Sequence, residues 1–535
     1  MTSVRDTTMT HRLTLSVTCL ALLFATRTSA QEHQHRAASE RLGTVHFATS
    51  CAPAVTPVFD RGVALLHSFE FGASINAFSS VLQQDSTCAM AWWGIALSMW
   101  TNPMSVANRS PAFLQRGLDA AQKAEQLGRG STDRERGYIA AVGQLFTDVA
   151  HRDQRTRILA YERAMADLVE KQPADTEAAI FHALSLVAAA PPSDKTYANQ
   201  LRAGATLEAI WAKQPDHPGL AHYIIHSYDV PALASRAAIA AQRYADIAPS
   251  AAHALHMPSH TFTRVGRWQE SVNTNRRSIE AAQKEGSFGE ALHASDYMEY
   301  AYLQMRRLDD AKAVRDGLPA LSAKLSLTAV SGAAPPSAGV FALAAIPARY
   351  ALERHKWDEA AALVPRTSAF PYADALTWFA RALGASRIGD TVAARVAVDS
   401  LVVLRQRLVT QKEEYWTEQV AIQEIAARAW ITLAQHRPDD ALAKMREASV
   451  REDATEKGAI TPGPLAPARE LLGDMLLELN RPVEALAEYR KTLEKEPNRY
   501  WALAGARVAA DRSGDAGTAA RYAAMLDSLT TMRMK

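Results

Sequence analysis

Two prolines 34 residues apart, Pro215 and Pro249, constrain what this chain can fold into more than any other feature. Each closes a similar phrase, Ala-Lys-Gln-Pro and Asp-Ile-Ala-Pro. Each is followed seven and eleven residues later by histidine: His222 and His226, then His256 and His260. Ala237 and Ser271 repeat the match, both 22 residues past their prolines. A fixed period of this length is the signature of a helical hairpin that stacks on its neighbours. Within a helix, an i, i+4 pair projects from one face. Two such pairs at one offset in adjacent hairpins therefore bring four imidazoles together.

The bulk numbers agree with a helical repeat. The chain has 535 residues, 48% of them hydrophobic, and a formal net charge of +2. Near-balanced charge argues against nucleic acid as the main partner. Ala, Leu, Glu, Lys and Arg dominate many segments, as in all-α proteins. The N-terminus reads as a secretory signal over residues 1–30. Arg5, His11 and Arg12 precede the apolar run Leu13–Ala25, and Thr28-Ser29-Ala30 ends in a small residue suited to cleavage. No other stretch reaches the roughly 18 apolar residues of a spanning helix. Export, to the periplasm or beyond, with no stable membrane insertion after cleavage, is the expectation. Two cysteines then remain, Cys51 and Cys88, an even pair suited to a disulfide in an oxidising compartment.

Residues 31–54 read as a flexible N-terminal segment. Residues 55–325 read as a first helical-repeat array carrying the histidine cluster, 326–340 as a loop, and 341–535 as a second array. The stripe Leu65, Phe69, Phe78, Val81 and Leu82, then Asp85-Ser86-Thr87, begins the first array. Trp92, Trp93 and Trp100 follow at helical spacing, where aromatics are core far more often than ligand box. Ala190 to Lys195 reads as a widened loop, and Thr455 to Pro464 as an irregular stretch. Setting Ala311 in register with Ala237 and Ser271 puts Asp296 and Tyr300 at the offsets of the histidine pairs, and His293 at that of His253.

The small–large pattern, clearest in Leu472-Gly473, Leu476, Ala485, Tyr489 and Pro497, resembles the tetratricopeptide repeat family. The likeness is strongest over 215–282 and 470–530 and weaker over 55–105 and 285–320. Thr49-Ser50-Cys51, Cys88-Ala89-Met90-Ala91-Trp92-Trp93-Gly94, His256-Met257-Pro258-Ser259-His260 and Thr461-Pro462-Gly463-Pro464 are similar to segments of exported bacterial tetratricopeptide proteins without assigned activity. The resemblance implies an all-α solenoid, a right-handed superhelix whose first helices line a concave groove for a protein or peptide partner. It also implies that the offsets seven and eleven face that groove. Other repeats place Ile180 and Leu184, or Ala504 and Val508, at these offsets, so histidine is no requirement of the stack.

Two functional readings follow. The first is a binding or scaffold protein, not an enzyme, acting through its groove. The second is a metal-binding protein, with hydrolase or oxidase chemistry open to it. Its ligands would be His222, His226, His256, His260, His293 and Asp296, with Asp229, His253, Arg264 and Tyr300 around them. Paired histidines on one helix face suit divalent transition metals, and residue types leave Zn, Fe, Cu and Mn open. Carboxylates supply a ligand or orient a ring through its second nitrogen. Against this stands a polar layer of histidines bonded to helix ends. His67, His182 and His217 lie off the register and read as structural. The catalytic residues are not assigned by any motif.

Overall fold

The computed structural model describes residues 40–191, 193–330 and 332–531. The signal segment 1–30 and residues 31–39 lie outside the described residues. Among the described residues every regular element is a helix, and most pack on a helix next or next but one in sequence. The protein is an all-α stack of helical hairpins of the tetratricopeptide type.

One turn, repeated along the chain, makes the hairpins. It appears at Ser68-Phe69-Glu70, Val265-Gly266-Arg267, Met305-Arg306-Arg307, Gln435-His436-Arg437 and Leu479-Asn480-Arg481. The middle residue is left-handed in each, with φ of 57°, 68°, 57°, 59° and 55°. The residue after it donates its N–H to a carbonyl five positions back: Glu70 to Leu65 (2.9 Å), Arg267 to Phe262 (2.8 Å), Arg307 to Tyr302 (2.8 Å). This closure satisfies carbonyls that a helix end leaves bare and reverses the chain in three residues. Glycine and asparagine take the left-handed position readily, whereas a bulky residue there costs about 1 kcal/mol or more. Phe69 is the aromatic exception.

Helix starts follow ordinary chemistry. Thr132 and Glu135 cap the Asp133–Gln144 helix reciprocally, and Asp175 accepts from Glu177 and Ala178 N–H at the start of Thr176–Ala188. Proline opens Pro218–Ser227, Pro336–Leu352 and Pro438–Ala454, where its missing N–H has no partner to lose. Between hairpins, small residues admit large ones. A Cβ on Gly94 would lie 2.3 Å from the Phe78 ring, so the Ala89–Trp100 helix packs flush on Phe71–Gln84.

Three segments differ from the sequence reading. The described end of 31–54 is not loose: Leu42, Val45 and Phe47 are buried, and Phe47 stacks on Trp93 at 5.3 Å. Few apolar residues mark this stretch, but each finds a pocket. The loop expected over 326–340 ends early, because Pro336 starts a helix. The His256–His260 helix is interrupted: Pro258 lacks the N–H that would continue it, and Ala252–His256 gives way to Pro258–Arg264. Cys51 and Cys88 are joined in a disulfide, with Cα atoms 4.9 Å apart, tying the entry segment to the start of the second hairpin. Residues 455–467 form a strap across the inner face. Tyr297 Oη donates to the carbonyls of Ala459 and Thr461, each at 3.0 Å. Arg349 donates to Pro464 O (3.1 Å), and Gly458 N–H to Tyr415 Oη (2.7 Å).

Candidate metal centre

Four stretches of chain meet under the strap: the end of Thr56–His67 with its turn, Pro218–Ser227, the interrupted pair 252–264, and Phe288–Gln304. The first two approach closely because position 219 is glycine; a Cβ there would lie 2.5 Å from His67 Nδ1. That approach lets His222 Nδ1 donate to the His67 carbonyl at 2.6 Å. His256 and His260 keep an i, i+4 approach across the Pro258 interruption, with ring centroids 5.0 Å apart.

Six histidines fall into two triads, His222–His226–His253 and His256–His260–His293. Within each triad one nitrogen per ring lies within 4.8 Å of the others, and all six rings are buried. Three points 4.8 Å apart lie about 2.8 Å from their centre, against about 2.0–2.1 Å for a metal–imidazole bond. A contraction of under about 1 Å would thus close each triad on an ion. Aromatic rings wall both: Phe69 is 4.4 Å from the His222 ring, while Tyr297 stacks on His260 at 4.8 Å and meets His256 edge-on at 5.0 Å.

The outer nitrogens are already committed. His253 Nδ1 donates to Glu290 Oε1 (3.0 Å), His260 Nδ1 to Asp229 Oδ2 (2.9 Å) and His256 Nδ1 to Asn275 Oδ1 (2.7 Å). Asn275 Nδ2 donates to the Ser271 carbonyl at 2.7 Å, which fixes Oδ1 toward the histidine. These acceptors set the tautomer and turn Nε2 lone pairs inward. Among the described residues, His222 Nε2, His226 Nε2, His253 Nε2 and His293 Nδ1 are buried without a hydrogen-bond partner. His256 Nε2 and His260 Nε2 face one another at 3.1 Å. With both Nδ1 atoms donating, two lone pairs oppose across that gap, which is repulsive unless a cation sits against them. At bond lengths near 2.05 Å, a 3.1 Å separation corresponds to a ligand–metal–ligand angle of roughly 100°.

Charge agrees with this geometry. Burial, and then the neighbouring imidazoles, hold His222, His226, His256 and His293 well below the usual imidazole range. These rings are therefore neutral, the form that binds metal. Burial would raise Asp229, but Lys457 and Arg264 outweigh it and keep the carboxylate ionised behind His260. Arg264 Nε donates to Asp229 Oδ1 at 2.9 Å.

The sequence-derived set divides accordingly. His222, His226, His256, His260 and His293 converge, and His253, placed around them by sequence, completes the first triad. Asp296 stands outside: its Oδ1 accepts from Arg349 Nε at 3.3 Å, since the continuous Phe288–Gln304 helix turns it toward Pro336–Leu352. Tyr300 is farther still, donating to Glu496 Oε2 at 2.9 Å. Asp229 and Arg264 back His260. Sequence reasoning missed Glu290, Asn275, the His67 carbonyl, Phe69 and Tyr297. Only Glu290, one helical turn before His293, left a local signal. His67 and His217 join Glu177 in a separate buried cluster, their Nε2 atoms each 2.9 Å from one Glu177 oxygen. That carboxylate is satisfied within the protein.

A cavity of about 40 Å³ adjoins both triads, lined by His226 and His253 from one, His260 and His293 from the other, and by Met104, Met257 and Ile460. Beyond the strap lies a larger cleft walled by Trp268, Phe341, Phe379, Trp416, Arg469 and Lys495.

No family profile and no curated protein matches the chain. Solved structures similar in arrangement include yeast Tom70, at 12% identity over 86% of this chain and 96% of that one, with a TM-score of 0.38. The human IFIT1 dimer with m7Gppp-AAAA matches at 10% identity over 90% and 96%, with a TM-score of 0.39. The APC/C hetero-tetramer Cut9–Hcn1 matches at 10% over 90% and 97%, with a TM-score of 0.34. These superpositions are loose, and the fold assignment rests on the repeated hairpin turn.

Proposed function

We propose that this is an exported metal-binding protein whose two buried histidine triads hold transition-metal ions. The opposed Nε2 atoms of His256 and His260, 3.1 Å apart with both Nδ1 atoms committed as donors, carry the reading. A proton between them makes a buried imidazolium among imidazoles, which desolvation opposes; an ion in each triad satisfies both lone pairs and the four unpartnered nitrogens. The donors are imidazoles, which suit Zn, Cu, Fe and Ni better than Mn. Export is supported by the Leu13–Ala25 run and by the Cys51–Cys88 bond, which belongs in an oxidising compartment. A mature chain beginning at Gln31 in the exported fraction would test it.

The metal reading is tested by elemental mass spectrometry on untagged protein beside His222→Ala/His256→Ala. Near-stoichiometric metal, lost in the double variant, is expected. Metal-free protein, or metal indifferent to the substitutions, overturns the reading. A second role, binding a protein or peptide partner, is favoured by the aromatic-walled cleft beyond the strap, whose rim carries both acidic and basic side chains. The inner face beside the histidines is not free for it, being covered by residues 455–467. Cross-linking in the exported fraction tests this role; partner cross-links confined to other faces would refute it.

A further inference from the structure

We propose that the two triads form one dinuclear copper centre, and that the cavity between them takes dioxygen or peroxide as a bridging ligand. The proposal rests on the metal-binding reading above and names its metal and its ligand. Contiguity comes first. Ring centroids within the triads are separated by 4.5 Å (His256–His293) to 6.5 Å (His226–His253). Across the triads, His253–His256 is 5.9 Å and His226–His260 is 6.3 Å. The gap between triads is no wider than the gap inside them. A shared bridging ligand requires the two ions to lie about 3.5–4 Å apart, a spacing that spin coupling reads out.

The cavity is the second observation. Its lining takes two histidines from each triad, so the open positions of both ions face one space. At about 40 Å³ it holds two or three water-sized molecules and no organic substrate. Donor chemistry is the third. Glu290 and Asp229 each lie one hydrogen bond behind a histidine ring, which leaves the triads themselves a neutral ligand set. Met104 and Met257 add thioethers to the cavity wall. Imidazole with thioether nearby selects copper, including its cuprous state, and the affinity order places Cu(II) above Zn(II). Copper in such a site supports dioxygen chemistry. In the step proposed, each of two Cu(I) ions gives one electron to dioxygen, whose two-electron-reduced form bridges the resulting Cu(II) pair; no proton is taken up. The same species forms without electron transfer when hydrogen peroxide binds the Cu(II) pair and releases two protons to solvent.

The test loads full-length protein anaerobically with cuprous acetonitrile, counts copper, and then admits air; a second sample is loaded with Cu(II) and given hydrogen peroxide. Expected are about two coppers per chain, a cupric form nearly silent in electron paramagnetic resonance through coupling of the pair, and one intense near-ultraviolet charge-transfer band reached by both routes. His226→Gln and His293→Gln, one per triad, should each halve the copper, restore a full cupric signal and abolish the band. Should either variant misfold by circular dichroism, spin counting on the parent protein still decides. Two uncoupled coppers, a single copper, zinc in preference to copper, or no band by either route overturns the dinuclear copper proposal while metal binding stands. Protein that binds no metal overturns the metal-binding reading itself.

Discussion

Replacing Glu290 by glutamine separates a ligand-orienting role from a merely structural one. Glu290 is fully buried, and its two oxygens accept from different donors, His253 Nδ1 at 3.0 Å and the Ala334 N–H at 2.8 Å. Glutamine keeps the shape but has one acceptor; its amide nitrogen must face one of those two donors in a fully buried position. One charge-assisted bond is lost, about 1.5–3 kcal/mol of apo-protein stability. In the metal-bound protein the same change frees the His253 ring. Loss of such an orienting partner costs about 10–100-fold in metal affinity, or about 1.4–2.7 kcal/mol. Urea unfolding of the apo form measures the first quantity, and competition against a chelator of known affinity measures the second. An apo protein weakened as expected but with metal affinity unchanged within about twofold would remove His253 from the ligand set.

Glu299 provides the contrast: burial pushes its carboxyl well above the ordinary range, toward the neutral form that glutamine mimics, and Glu299→Gln should alter unfolding free energy by under about 1 kcal/mol. Gly94→Ala should destabilise by about 1–3 kcal/mol in urea melts, because its Cβ would enter the Phe78 ring. Reducing the Cys51–Cys88 bond, which closes a loop with a sequence separation of 37, should cost about 4 kcal/mol in the chain-entropy account, read from unfolding with and without reductant. Burial would raise Glu177, but His67 and His217 outweigh it and hold its carboxylate below the ordinary range. A depressed folded value means stability that is present above the unfolded pKa, about 4.3, and lost as pH falls through the folded one. Glu177→Gln should therefore destabilise at pH 7 and approach the parent as unfolding is measured at progressively lower pH.

The period and the paired offsets were legible in the sequence because they are local: Pro215 and Pro249 mark the hairpins, and helical geometry does the rest. His253 was set at the periphery because it falls near the start of its helix, yet its ring turns inward beside His222 and His226. Asp296 was drawn into the ligand set by register alone, but register does not reveal that Arg349, on another helix, claims its carboxylate. The strap escaped the reading for the same reason. Ala459 and Thr461 meet Tyr297 across separations of 162 and 164 residues, contacts that no period encodes. Phe69 read correctly as an apolar stripe residue, yet its left-handed backbone and its place over His222 depend on a turn seen only in three dimensions.

The strap also sets a chronology. All six histidines are made before residue 300, whereas the segment that roofs them comes after residue 454. Without that segment the triads lose the cover that Ala459 and Ile460 supply. Once Tyr297 has captured the strap and Arg349 has fastened its far end, an ion leaves only when those bonds let go. On the metal reading, exchange is then paced by release of the strap, so metal enters and leaves the finished protein faster in any variant that frees residues 455–467.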